Sequence, residues 1–84
     1  MNQHCSPAKI SLWHLPDCVL SDVANGASML AALRRWRGLS RPQLSEASGV
    51  DLVILMMAEK GFALEAGEKL VLATALRVDS RLIE

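Results

Sequence analysis

Four glycines, Gly26, Gly38, Gly49 and Gly61, each close a helix-patterned stretch of this 84-residue chain, so only short helices fit between them. The first stretch opens at Pro16, suited to a first helical turn, and places Val19, Leu20 and Val23 at helical spacing before Asn25-Gly26 stops it. Ser28 is a competent N-cap for the second, whose apolar stripe is Met29, Leu30, Leu33 and Trp36. Arg34, Arg35 and Arg37 crowd its last turn, where positive charge complements the helix dipole. Ser40 with Gln43 three residues on reads as a capping box, Pro42 sits in the first turn, and Leu44 and Ala47 are expected to point inward. Asp51 caps a helix running through Glu59. A further helix spans roughly Glu65 to Leu76 with Leu72, Ala73 and Leu76 as its core face, and Asp79 caps a terminal turn carrying Leu82 and Ile83. The expected fold is therefore all-α, a compact bundle of about five short helices.

Residues 1–15 do not fit this pattern. Lys9 to Leu15 alternates enough for a short strand or an extended arm, and an arm is preferred because a lone strand leaves its backbone unpaired. The chain thus divides into an N-terminal arm, 1–15, and one helical domain, 16–84. A composition that is 51% hydrophobic but poor in aromatics supports folding, and its Leu, Ala and Val suit packed helices. A domain this small buries a modest core, so dimerisation is an expected source of added stability.

The formal net charge is zero, which withholds the strongly basic balance that would point straight at nucleic acid. Distribution says more. Residues 27–61 carry Arg34, Arg35, Arg37, Arg41 and Lys60 against Glu46, Asp51 and Glu59, a weak local excess of positive charge that permits phosphate contact. No charged segment followed by an apolar run opens the chain, and the longest apolar run, Leu52 to Ala58, is too short to span a bilayer. Cys5 and Cys18 could in principle pair, but without a secretory signal the expectation is a soluble, cytoplasmic protein with reduced thiols. His4, Cys5, His14 and Cys18 match no common zinc spacing. No nucleophile–base arrangement has a third member and no phosphate-cradling Gly-rich loop follows a strand, so neither an enzyme, a metal nor a cofactor is expected.

Two short helices joined by a tight Gly turn are the core of a helix-turn-helix. The run Leu33-Arg34-Arg35-Trp36-Arg37-Gly38-Leu39-Ser40, with Leu44, Gly49-Val50, Leu55, Glu59-Lys60-Gly61 and Ala73-Thr74-Ala75-Leu76-Arg77-Val78, resembles the Xre family, the Cro/lambda-repressor type of helix-turn-helix, over about residues 30 to 83. The resemblance implies a lambda-repressor-like domain over 16–84 in which Arg34 and Glu59 tie the first family helix to the third, giving Arg34 a structural role in preference to a phosphate contact. It also implies a sequence-specific transcriptional regulator that binds double-stranded DNA as a homodimer, with the second helix's N-terminus at a phosphate and the third helix in the major groove. Carried across, its DNA-binding positions are Arg41, Gln43, Asp51, Leu52, Val53, Met56 and Lys60, with Arg37 adding a phosphate contact. The segment Leu15 to Gly26 is similar to the lead-in helix of Xre-type antitoxins, which bind a toxin as well as an operator.

Here the third helix departs from the family pattern. Leu52 to Ala58 is apolar on every face, whereas the family places polar residues at several of these positions, and Phe62 stands where many relatives carry Lys or Arg. Apolar side chains can touch thymine methyls but supply none of the donors and acceptors that distinguish base pairs. Three readings follow: the rest of the chain, Pro16–Asn25 or Trp13, covers the helix; a second copy or a partner protein covers it; or it enters the groove as it stands. The alternative to DNA binding is accordingly a protein-interaction module whose contact surface is Leu52, Val53, Met56, Met57 and Phe62.

Overall fold

The computed structural model describes residues 15–83. The chain forms five helices and a closing 3-10 turn: α1 (Asp17–Ala24), α2 (Met29–Trp36), α3 (Arg41–Ser48), α4 (Leu52–Glu59), α5 (Ala66–Leu76) and Ser80–Leu82. No strand occurs among the described residues. The expected all-helical bundle is the observed one. Of the expected arm only Leu15 is described, half-buried and packed on the core; the rest, Trp13 included, lies outside the described residues.

Local chemistry accounts for the boundaries. The Ser28 hydroxyl accepts the Ala31 N–H at 3.1 Å, and the Asp51 carboxylate accepts the Val53 N–H at 2.9 Å. Ser40 and Gln43 form the reciprocal box: the Ser40 hydroxyl accepts the Gln43 N–H at 3.2 Å and Gln43 Oε1 accepts the Ser40 N–H at 2.8 Å. Glu65 and Glu68 repeat the device at the start of α5, a box the periodicity had marked only as a helix start. Pro16 is the N-cap of α1, one residue earlier than its expected place inside the first turn. Gly49 ends α3 at φ 80, a left-handed conformation natural to glycine, and the chain turns into α4 within three residues.

Each helix contributes at least one wholly buried side chain to a single core: Val19, Leu33, Leu44, Leu55, Leu72 and Leu76. The helix α2 is the most deeply set, with Leu30 to Arg34 all buried. Around it α1 packs on α2, α4 on α2 and α3, and α3 on α5, while the 3-10 turn brings Leu82 and Ile83 back onto α5. Three expectations need correction. Ala47 is exposed, because the two turns of α3 present Leu44 to the core and turn Ser48 toward its own backbone, its hydroxyl donating to Leu44 O at 2.7 Å. Leu20 is exposed because α1 packs through the Val19–Val23 row. Cys18 is not a free thiol: it stands exposed in the first turn of α1 and is disulfide-bonded to a partner outside the described residues. The argument from reduced thiols to a cytoplasmic location is thereby removed. No helix among the described residues is long and apolar enough to cross a membrane.

Candidate nucleic-acid interface

The centre of the site is a carboxylate. Glu59, at the end of α4, accepts from Arg34 Nε at 2.6 Å and from an Arg34 terminal nitrogen at 3.2 Å, while Arg41 Nε on α3 donates to it at 2.9 Å. Arg34 also donates to the Leu39 carbonyl at 3.0 Å, so this one cluster joins α2, the α2–α3 connection, α3 and α4. The Arg34 and Glu59 side chains are 9% and 4% exposed, which makes the pair a buried one with near-complete hydrogen bonding. Burial pushes the Glu59 carboxyl upward, but the hydrogen bonds and charges of Arg34 and Arg41 outweigh it and hold the group below the ordinary carboxylate range. The structural role expected for Arg34 is the one observed.

Several DNA-contact candidates have intramolecular duties. Arg37 donates through Nε to the Leu76 carbonyl at 2.7 Å and through a terminal nitrogen to the Arg77 carbonyl at 3.2 Å, closing the C-terminus of α5. Its guanidinium lies 3.8 Å from the centre of the Trp36 ring. Burial, and secondarily the charge of Arg77, lower its pKa. Asp51 serves α4 as N-cap, and Gln43 serves α3 through its carbonyl oxygen, leaving its amide N–H₂ as a donor. Arg41 is held by Nε alone; with a side chain 46% exposed, its terminal nitrogens meet no partner among the described residues. Lys60 is exposed and has no ion pair among them.

The outer surface of α4 divides into two rows. Leu55 is wholly buried, and Leu52, Ala58 and Glu59 are half-buried beside it. Val53, Met56 and Lys60 run along one outward row, and Met56 lies one turn before the Glu59 that holds Arg41. Ile54 and Met57 run along the other, toward Phe62 and the start of α5. The α1 segment lies against α2 and leaves Val53, Ile54, Met56 and Met57 exposed, so cover by Pro16–Asn25 is not what the structure has. Arg41, Val53, Met56 and Lys60 are all exposed, and Arg41 is bonded to α4 through Glu59, whereas Leu52 is partly withdrawn and Arg37 is committed to α5. The arginine bridge from Arg37 to the α5 carbonyls was missed in the sequence, since nothing local marks residues 37 and 77 as neighbours. Among the described residues no group of three metal-ligating side chains occurs. No protein-family model matches this chain, and no curated protein or solved structure matches it significantly.

Proposed function

We propose that this chain binds double-stranded DNA as a small transcriptional regulator of the lambda-repressor-like, Xre type, acting as a homodimer. The observation that carries the reading is the α3–turn–α4 unit, locked to α2 by the Arg34–Glu59 pair that the resemblance implies, with Arg41 of α3 bonded to the same carboxylate. The free terminal nitrogens of Arg41, the amide of Gln43 and the ammonium of Lys60 supply phosphate donors around an exposed α4 row. Val53 and Met56 on that row offer only apolar contact, so backbone charge dominates affinity and base selectivity is slight. An autorepressor of antitoxin type, with a toxin as second partner, is the finer form of this proposal and rests on the Leu15–Gly26 resemblance.

A second reading is favoured by one observation: Val53, Met56, Met57 and Phe62 are 40–61% exposed, an apolar surface of the kind proteins use to meet proteins. Titration of a mixed-sequence DNA duplex at several salt concentrations separates the two. DNA binding predicts affinity that falls steeply with salt, and Arg41→Ala weakening binding to every sequence while flattening the salt slope by about 1. A chain that binds no duplex at low salt excludes the first reading and leaves the second.

A further inference from the structure

The second row of α4 borders a groove that the DNA reading does not use. Ile54, Met57 and Ala58 of α4, Phe62 and Ala63 of the connection and, as its acidic rim, Glu65 and Glu68 at the start of α5 line it. Phe62 and Ala58 also border a second, smaller depression lined by Ser28, Met29, Leu30, Leu64 and Ile83. Phe62 is 59% exposed, and Ile54 and Met57 are 37% and 42% exposed. The two glutamates cap the first turn of α5 through one another's backbone N–H groups, and among the described residues no cation lines the groove.

We propose that this groove is a docking site for a partner protein's amphipathic helix, one that carries Lys or Arg beside two apolar anchors a turn apart. Three considerations select that occupant. Negative charge at the rim repels phosphate, which disfavours DNA on this side of α4. A two-fold pairing with a second copy through the same groove sets its acidic rims against each other, an arrangement that costs affinity, whereas a basic flank neutralises them. Among the described residues no strand edge borders the groove to which an extended peptide could add, whereas an amphipathic helix seats apolar anchors a turn apart against such a surface. The inference holds independently of DNA binding, because Arg41, Val53, Met56 and Lys60 take no part in the groove.

The test is selection of displayed amphipathic helices of about 16 residues against the full chain, followed by titration of the strongest synthetic peptide. Selected peptides are expected to share apolar residues at i, i+3 or i+4 and i+7 with Lys or Arg beside them. Met57→Lys, an exposed position, is expected to weaken the peptide about tenfold or more with an unchanged thermal melt, and to leave duplex DNA titration without loss. The proposal is overturned if no selected peptide depends on Met57, or if acidic flanks are selected as readily. Sedimentation showing a dimer that Met57→Lys dissolves would assign the groove to a second copy. Nuclear Overhauser contacts between the Phe62 ring and residues 1–14 would assign it to the chain's own arm. Loss of DNA binding alone, with the peptide still bound, touches only the DNA reading.

Discussion

Glu59 shows how much one side chain can organise. Both its oxygens are occupied by arginines from two other helices, at 4% exposure. Glu59→Gln keeps the shape but leaves the Arg34 guanidinium buried without a counter-charge, and is expected to destabilise the domain by about 3 kcal/mol in urea unfolding. Arg77 is the opposite case. It ends α5 at φ 60, where a side chain is strained and glycine is not, and its charge adds to the burial that disfavours the Arg37 cation. Arg77→Gly removes both costs while keeping the carbonyl that Arg37 uses. It is expected to raise stability by about 0.5–1 kcal/mol, seen as a melting temperature several degrees higher. The capping residues at this scale were legible in advance, Ser28, Ser40 with Gln43, Asp51 and Asp79, because capping depends only on residues two or three apart.

Among the elements, α4 carries the contradiction that matters for function. It is apolar around its whole circumference, yet only Leu55 is fully buried. Leu55→Ala empties a filled site and is expected to cost about 2–5 kcal/mol, whereas Met56→Lys on the outward row is expected to change stability by less than about 0.5 kcal/mol. The same two variants separate structure from function. If α4 lies against DNA, Met56→Lys adds a cation near phosphate, so duplex affinity rises and the salt slope steepens by about 1. An unchanged or weakened duplex titration would place the row away from the backbone. Sequence periodicity could not reveal which apolar residues of α4 face outward, since a helix greasy on every side has no amphipathic phase to read.

At the scale of the molecule, the Glu59 cluster links three of the five helices, so its titration bears on the whole fold. The folded-state pKa of Glu59 is depressed below its unfolded value, which for a glutamate is about 4.3. The unfolded chain therefore binds the proton first as pH falls, and stability rises with pH across that interval. The cluster's contribution is complete above about pH 5 and is lost as pH drops through the folded-state value. Urea midpoints are expected to fall below about pH 4.5, with a shallower acid limb in Glu59→Gln. An identical acid limb in the two proteins would mean that other carboxylates govern acid unfolding.

The four glycine stops, the caps and the apolar spacing were enough, without any tertiary information, to determine five helices and most of their core faces, because each of those signals acts within one or two turns. Only packing could decide the rest. The Arg37 bridge to α5 joins groups 39 residues apart, for which no local pattern exists, and the exposure of Ala47 and Leu20 follows from which face of each short helix meets its neighbours. The same holds for the exposed surface of α4. Hydrophobicity demanded a cover for that helix, and it was the arrangement of α1 on α2 that left Val53, Met56, Met57 and Phe62 open, with Glu65 and Glu68 beside them.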